Sequence, residues 1–256
     1  MKLKWLFTLL AATFFISVQA AIFCPICETS KEHFWPSGKS LRRDSMCPGC
    51  RSLERHRHFW LFLQYEMKDI FEKELTVLHW APEDCLVGKF KKLKNLLYIR
   101  GDIDRPNEPE VLKLDITKPI LKDDSVDVVI CNHVLEHIPD DSLAMSEMYR
   151  VLKPGGRAFI MVPLYTDLDK TYEDSSITSR TERLRHFDQE DHVRKYCQKD
   201  LVDRLKKAGF MVQSFPLSRL SDSLRKQYGM AGHDDDVSTN ASRGADIFLC
   251  TKPKYW

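Results

Sequence analysis

The apolar positions in the middle of the chain predict alternating strands and helices. Residues 126–130 form a short β-branched run, as expected of a strand buried on both faces. Across residues 140–152 the apolar positions recur at near-helical spacing, and the Lys-Pro-Gly-Gly turn at 153–156 ends that helix. Residues 157–163 are again apolar and predict a strand. A strand, a helix and a strand in this order predict a right-handed βαβ crossover with parallel strands.

The flanking sequence continues this alternation. Strands are predicted at residues 76–81, at 96–99, just before Asp115, at 211–216 and at 247–251, and helices at 84–95 and from Cys197 to Gly209. An amphipathic helix is predicted around Phe59, Leu63 and Met67. Residues 164–185 predict a long loop over the site, and residues 221–244 an exposed excursion in which Asp234, Asp235 and Asp236 form a solvated acidic loop. We therefore predict an α/β fold with a mostly parallel sheet of about seven strands and helices on both faces.

Polar side chains follow several predicted strands where each strand ends. Asn132 and His133 come directly after residues 126–130, and Asp115 follows the third strand. Asp102 follows the second strand, 19 residues past Glu83, where an acidic side chain can accept hydrogen bonds from ribose hydroxyls; Asp104 is the alternative. Ligands of open α/β sheets bind beyond the carboxyl ends of the strands. Taken singly, each Asp is an ordinary turn residue; together they predict a nucleoside site.

The segments DSVDVVICNHVLEHIPDD and EMYRVLKPGG resemble the fourth strand, the following loop and the helix-to-strand turn of class I S-adenosylmethionine (SAM)-dependent methyltransferases of the type 11-like group. The similarity runs from about Thr76 to Thr251 and says little about the substrate. The resemblance implies a Rossmann-like fold, SAM as cofactor and methyl transfer as the activity. It implies cofactor contacts from Ala81, Glu83, Asp102, Asp115, Ile116, Asn132 and His133.

The first strand departs from this family at the turn that follows it. Methyltransferases usually carry glycines there, but this chain has Ala81, Glu83 and Cys85. Glu83 is expected to face the cationic end of SAM. The departure leaves an alternative open, a catalytically inactive methyltransferase-like protein that binds protein or RNA through its cysteine module.

The transfer side has no fixed catalytic motif, since methyl transfer from a sulfonium needs mainly alignment and, for some acceptors, a base. The loop after residues 126–130 lacks the patterns associated with methylation of nucleic-acid bases. The catalytic candidates are His133, His192 and Arg194, with His192 as the candidate base. The competing interpretation is that His192 is a structural residue whose hydrogen bonds are all made within the protein. The methyl acceptor is not specified by the sequence.

Two CxxC pairs lie near the amino terminus, Cys24 with Cys27 and Cys47 with Cys50, separated by 19 residues. Four thiolates at this spacing predict a tetrahedral structural zinc site; two disulfides are the competing interpretation. The module resembles one found on a subset of bacterial methyltransferases. We predict three parts: a hydrophobic segment at 1–20, a zinc knuckle at 21–58 and the methyltransferase domain at 59–256.

The net charge of the chain limits its possible partners, and the hydrophobic residues 1–20 limit its possible location in the cell. The net charge of +2, from 39 basic and 37 acidic residues, argues against a protein that coats nucleic acid. A basic excess at residues 39–58 keeps a small nucleic-acid face open, although a solvated knuckle surface is favoured. Residues 1–20 have the pattern of a secretory signal or an anchor, and residues 5–23 offer a membrane contact. SAM and paired thiols favour the cytoplasm, with or without membrane association; export stays open.

Overall fold

The computed structural model describes residues 21–38, 41–105, 107–231 and 245–254. The predicted signal or anchor at residues 1–20 and the acidic run Asp234–Asp236 lie outside these ranges. No helix among the described residues has both the length and the apolar character needed to cross a membrane.

The elements alternate along the chain as predicted. The strands are β1 (Ile22–Cys24), β2 (Thr29–Lys31), β3 (Trp35–Ser37), β4 (Arg42–Met46), β5 (Leu75–Trp80), β6 (Leu96–Asp102), β7 (Val111–Lys113), β8 (Val126–Asn132), β9 (Leu152–Met161), β10 (Tyr172–Glu173), β11 (Arg194–Lys195), β12 (Met211–Phe215) and β13 (Ile247–Thr251). The helices are α1 (Glu54–Glu66), α2 (Asp69–Glu72), α3 (Asp84–Phe90), α4 (Asp141–Val151), α5 (Arg180–Phe187), α6 (Gln198–Lys207) and α7 (Asp222–Gln227), with 3₁₀ turns at Leu135–His137 and Leu217–Arg219.

Seven of these strands form one sheet in the order β12-β13-β9-β8-β5-β6-β7. The five strands from β5 to β9 are parallel, and β13 runs antiparallel between β9 and β12. Helices cover both faces, so the predicted fold class is confirmed. Two short hairpins, β1–β2 and β3–β4, carry the cysteine module at the amino terminus.

Strand β5 lies at the point where the winding of the sheet reverses, because the chain passes from β5 to β6 on one side and later to β8 on the other. Trp80 at the end of β5 is opposite Gly101 of β6 and Cys131 of β8. Ala81, Asp102 and Asn132 therefore follow at one level on three adjacent strands, which lie about 4.8 Å apart. Ligands of open α/β sheets bind at such a reversal.

Each face of the sheet packs against its own helices. On one face Leu78 and Trp80 join a buried cluster with residues of α4 and α6; on the other Val77 joins a cluster with residues of α1 and α3. Because successive side chains of a strand point to opposite faces, a strand covered on both sides is apolar throughout. This is why β8 reads as an apolar run interrupted only by the half-buried Asp127.

Several predicted elements were wrong in part. The predicted turn at 153–156 lies within β9, and the excursion predicted at 221–244 contains α7. Helix α1 is not amphipathic: the stretch from His56 to Leu63 is buried all round the helix, because α1 is covered by the sheet, the cysteine module and the segment around Tyr228. Residues 164–185 are not only a loop, since they contain β10 and the start of α5. The polar helix α5 buries only Phe187 and begins with a Ser179 side-chain cap, so it has little hydrophobic periodicity to detect.

Arg57 of α1 joins three parts of the molecule. It is completely buried, and its guanidinium donates to the carbonyl oxygens of Ser45 and Ser52 in the cysteine module and of Tyr228 and Gly229 near the carboxyl end. A buried cation is tolerated when each N–H has an acceptor. The sequence alone suggested a solvated or nucleic-acid-facing basic surface here, and for Arg57 both interpretations are wrong.

We expect Arg57→Ala to destabilise the protein by about 3 kcal/mol or more, since it removes the guanidinium donors to the carbonyls of Ser45, Tyr228 and Gly229, while the Ser52 carbonyl keeps the Cys47 amide. Urea denaturation followed by circular dichroism measures the loss. Arg43→Ala changes an exposed arginine of the same module and should cost less than about 0.5 kcal/mol. Equal stability of the two variants would contradict the joining role of Arg57.

Candidate functional site at the carboxyl edge of the sheet

The turn after β5 has the backbone shape of a glycine turn without the glycines. Ala81 has φ +42°, a region that L-residues enter at a cost of about 1–3 kcal/mol. Its amide donates to the Gly101 carbonyl over 2.8 Å. A side chain at Gly101 would lie 3.1 Å from the Trp80 ring and from Leu114, so the Trp80 ring packs against this strand within the core.

A buried chain of hydrogen bonds fixes the turn from behind. The Tyr98 hydroxyl lies 2.8 Å from His79 Nδ1, and His79 Nε2 lies 2.9 Å from Glu83 Oε2. Burial raises the pKa of Glu83, but the hydrogen bond and charge of His79 more than offset this and lower the pKa to about 2. The Glu83 carboxylate is thus held by the protein's own imidazole. Its predicted contact with the cationic end of SAM stays a prediction.

His56 of α1 lies against the same carboxylate. Its Nδ1 accepts from the Leu53 amide over 3.0 Å, so Nε2 carries the proton and lies 3.6 Å from Glu83 Oε1. Burial lowers the pKa of His56 to about 3, and the imidazole is therefore neutral at pH 7. Helix α1 in this way supports the turn after β5.

Asp102, predicted to bind ribose, lies at the end of β6 with a buried side chain. Its Oδ1 accepts from the amides of Asp104 and Arg105, and its Oδ2 accepts from Arg105 Nε over 2.8 Å. A carboxylate has about four acceptor positions, so Asp102 retains about one. Arg105 also donates to the Pro82 carbonyl and so bridges the tips of β5 and β6. The alternative, Asp104, is exposed.

Asp115 and Ile116 follow β7. The Asp115 carboxylate accepts from the amide and the hydroxyl of Thr117 over 2.9 and 2.7 Å, and these bonds lower its pKa. Ile116 is buried in the cluster that contains Trp80. The structure therefore places both residues at the predicted strand end, with Asp115 partly exposed in a local turn.

Asn132 and His133 end β8 beside the β5 turn. Asn132 is buried, and its Oδ1 has no hydrogen-bond partner among the described residues. His133 has φ +52°, and its amide donates to the Met161 carbonyl over 2.7 Å. This left-handed residue turns the chain into the following 3₁₀ turn. The unpartnered amide oxygen of Asn132 therefore lies at the strand end beyond which a ligand is expected.

Arg194 lies on the opposite side of that loop with a buried guanidinium. It donates to the carbonyl oxygens of Leu135, Ile138 and Pro139, and its Nε donates to Glu173 over 2.8 Å. With four of its N–H groups engaged by the protein, Arg194 acts as a positioning residue for the loop. Its predicted contact with substrate remains untested.

His192, the candidate base, is buried beside His137 with ring centroids 4.7 Å apart, and its Nδ1 has no partner among the described residues. Burial lowers its pKa, so the imidazole is neutral at pH 7. His192 thus lies with the loop after β8, and its role as a base stays a prediction.

The four cysteines of the two CxxC pairs lie together. Their sulfur atoms all fall within 4.8 Å of one another, with Cys24 to Cys50 at 3.6 Å and Cys27 to Cys47 at 3.7 Å. All eight cysteines belong to the described residues and are free thiols. A disulfide needs sulfurs about 2.05 Å apart, so the alternative of two disulfides is not what the structure contains.

Sequence reasoning missed several residues of this region, above all His79, Tyr98 and Arg105. His79 and Tyr98 lie within predicted strands, where side chains are expected to pack in the core. Arg105 lies in the turn after Asp102, where an arginine is expected to be exposed to solvent. The spacing of His79 and Glu83 carried no strand or helix signal. Only their side-chain contacts identify them as supports of the turn.

The buried imidazole of His56 should make stability depend on pH. Its pKa is about 6.5 when unfolded and about 3 when folded, so its stability contribution is complete above pH 6.5 and is lost as the pH falls towards 3. The loss amounts to about 5 kcal/mol at most. We expect His56→Asn, which keeps an acceptor for the Leu53 amide, to flatten the decline of the free energy of unfolding between pH 6.5 and 4.

The control for this prediction is His33→Asn, which changes an exposed histidine of the cysteine module and should leave the slope unchanged. Denaturation curves at half-unit pH steps measure both slopes. A wild-type slope in His56→Asn would contradict the account.

Comparison with known proteins agrees with the fold. The family model described as a methyltransferase domain matches residues 50–214. Among curated proteins, the demethylmenaquinone methyltransferase of Streptomyces avermitilis is 48% identical over 46 residues, which span 18% of this chain and 20% of that enzyme. The chain therefore matches about one fifth of the length of this relative.

Several solved structures have a similar fold. The [4+2]-cyclase SpnF has a TM-score of 0.52 at 13% identity, over 86% of this chain and 87% of that chain. A 1,6-didemethyltoxoflavin N1-methyltransferase of Burkholderia thailandensis was solved with bound 1,6-didemethyltoxoflavin and S-adenosylhomocysteine. It has a TM-score of 0.51 at 12% sequence identity, over 78% of each chain. A SAM-dependent methyltransferase of Archaeoglobus fulgidus has a TM-score of 0.50 at 16% sequence identity, over 79% of this chain and 96% of that chain.

At these identities the structures share a fold, and the inclusion of a cyclase means that the fold alone does not define the reaction. The family assignment comes from the model that covers more than half of this chain, and it agrees with the strand order and the reversal at β5. The chain belongs to the methyltransferase domain family, in the class I SAM-dependent group.

Proposed function

We propose that this protein transfers the methyl group of SAM to an acceptor held between the loop after β8 and the segment from residue 164 to 197. The observation that carries the proposal is the meeting of Ala81, Asp102 and Asn132 at one level on three adjacent strands, at the reversal of the sheet. The buried Asn132 oxygen without a partner marks this edge as a place for a ligand.

The residues at this edge fit a nucleoside cofactor. Asp102 keeps an acceptor position for a ribose hydroxyl of the cofactor. Asp115, partly exposed after β7, is the candidate to accept a hydrogen bond from the adenine base. When bound, SAM supplies an electrophilic methyl group on a sulfonium, so this chain has to align the acceptor and exclude water. His133, directly after Asn132, is the candidate for contact with the acceptor, and Arg194 holds the loop that carries it.

The competing proposal is an inactive scaffold that binds through its cysteine module. Two contacts favour this alternative, because they use carboxylate oxygens that a cofactor would need. Glu83 Oε2 is hydrogen-bonded to His79, and Asp102 Oδ2 accepts from Arg105 Nε. Against it, the backbone of Ala81 keeps the glycine-like conformation although this costs energy. A strained turn is kept where the surroundings require it, which favours a working cofactor site.

The acceptor is not defined by the relatives. The Streptomyces enzyme is named for demethylmenaquinone, but its likeness to this chain extends over only 46 residues. We therefore propose methyl transfer without a named acceptor, and leave quinone-like rings as one class to test.

We further propose that the cysteine module binds one structural zinc ion through Cys24, Cys27, Cys47 and Cys50. Zinc with four thiolates at about 2.3 Å in a tetrahedron requires sulfurs about 3.8 Å apart, close to the observed 3.6 and 3.7 Å. Ser52 connects the cluster to the buried cation, since its hydroxyl lies 3.3 Å from Cys24 Sγ while its carbonyl accepts from Arg57. A positive charge nearby suits the net negative charge of a four-thiolate zinc site.

We expect Asp102→Ala to weaken binding of S-adenosylhomocysteine by roughly ten- to a hundredfold, since a hydrogen bond to a charged acceptor contributes about 1.5–3 kcal/mol. Isothermal titration of zinc-loaded protein measures the dissociation constant. Asp104→Ala removes the exposed neighbouring carboxylate and should change it less than about twofold. No binding by the wild-type protein would reject the cofactor proposal, and unchanged binding by Asp102→Ala would reject this placement of the ribose.

We expect purified protein to hold zinc through its thiolates and to lose it, with a lower melting temperature, in Cys47→Ser. Metal analysis measures the zinc, and cobalt substitution should give thiolate-to-cobalt charge-transfer absorption. Cys197→Ser is the matched control, because Cys197 lies outside the cluster at the N-cap of α6, where serine is a preferred residue. A folded, metal-free wild-type protein would contradict the zinc proposal.

A further inference from the structure

A second cluster of potential metal ligands lies in the loop after β8, apart from the cysteine module. Glu136, His137 and His192 each offer a ligand atom, and these atoms all lie within 4.8 Å of one another. We propose that these three residues bind a divalent transition-metal ion on the acceptor side of the site.

Two of the three side chains are buried, and each has a potential ligand atom with no hydrogen-bond partner, by distance and angle, in the described part of the chain. Glu136 is 1% exposed, and neither of its carboxylate oxygens has a hydrogen-bond partner among the described residues. His192 is 3% exposed, and its Nδ1 also lacks a partner there. His133 Nδ1 lies 3.3 Å from Glu136 Oε1, so this imidazole is a neighbour of the carboxylate. A buried carboxylate is costly, and a coordinated cation lowers that cost.

The ligands come from two distant segments that the protein holds together. The Val193 amide donates to the Glu136 carbonyl over 2.9 Å, which joins the segment of His192 to the 3₁₀ turn. The neighbouring Arg194 donates to the carbonyls on either side of Glu136 and His137, as described above. The cluster is therefore preorganised by backbone contacts that do not involve the ligand atoms.

The surroundings also orient one imidazole. Asp191 Oδ2 lies 3.3 Å from His137 Nδ1, an arrangement in which a carboxylate fixes a histidine ring and leaves Nε2 for a metal. The His137 side chain is 33% exposed. An ion held by one carboxylate and two imidazoles would thus face solvent on one side and keep open coordination positions.

The donor set indicates the kind of ion. Two imidazoles and one carboxylate suit zinc, manganese, iron or cobalt, whereas magnesium and calcium prefer oxygen ligands throughout. The thiolate cluster has the opposite preference and binds zinc in place of manganese. Manganese therefore discriminates between the two clusters found among the described residues.

The position of the cluster suggests its use, an inference that rests on the proposed methyl transfer. Glu136 follows Asn132 by four residues, on the side of the segment from residue 164 to 197. An ion here would lower the pKa of an acceptor hydroxyl, whose proton passes to solvent. The oxygen then forms a bond to the methyl carbon, the carbon–sulfur bond breaks, and its electron pair stays on sulfur. The acceptor class is therefore one with a hydroxyl group that can coordinate a metal.

The test is a titration of the zinc-loaded full-length protein with Mn²⁺, in which the electron paramagnetic resonance signal of free Mn²⁺ reports binding. We expect one saturable site per chain. Glu136→Gln and His137→Ala should each weaken it at least tenfold. Both changes are mild, since the first is isosteric and the second affects a partly exposed side chain, and circular dichroism confirms that the variants fold.

The matched control is Glu182→Gln, which makes the same chemical change at an exposed pair in which His186 Nε2 lies 3.6 Å from the carboxylate. It should bind Mn²⁺ as the wild type does. Absence of Mn²⁺ binding by the wild type, or undiminished binding by Glu136→Gln and His137→Ala, would overturn the site. Titration with S-adenosylhomocysteine in parallel separates the proposals, because loss of cofactor binding with intact Mn²⁺ binding rejects only methyl transfer.

Discussion

The placement of β5 between β6 and β8 is the constraint on which the site depends. Parallel pairing in register brings the ends of the three strands to one level, and the reversal of winding opens a crevice there. Every residue discussed for the cofactor is attached to this edge. The backbone pairing of the strands decides which side chains can meet at this edge, and those side chains then determine what the edge can bind.

Buried arginines hold the loops around this edge. Arg57 joins the cysteine module, α1 and the segment at Tyr228 through carbonyl oxygens, and Arg194 does the same for the loop after β8. A planar guanidinium has five N–H donors, so one side chain satisfies several irregular segments. Loops without regular backbone pairing are thereby kept in single conformations, which a site that aligns two reactants requires.

The turn after β5 illustrates how a family feature is kept with different residues. Glycines normally provide the left-handed backbone there, and in this chain Ala81 adopts it under support from His79 and Glu83. The support extends through His56 to α1, the helix that also carries Arg57. The cysteine module and the turn after β5 therefore both contact α1.

The sequence by itself determined the class of fold and the order of the strands and helices of the main sheet, because apolar periodicity and turn residues are local properties; the predicted strand bounds differ from the observed ones by two to five residues. It also indicated the four cysteines and the acidic and amide residues at the strand ends. Only the tertiary structure decided that α1 is buried all round, that Arg194 is engaged with carbonyls, and that His192 meets Glu136 and His137. The reason is physical: burial, ion pairing and ligand sets depend on contacts between residues that are far apart in the chain.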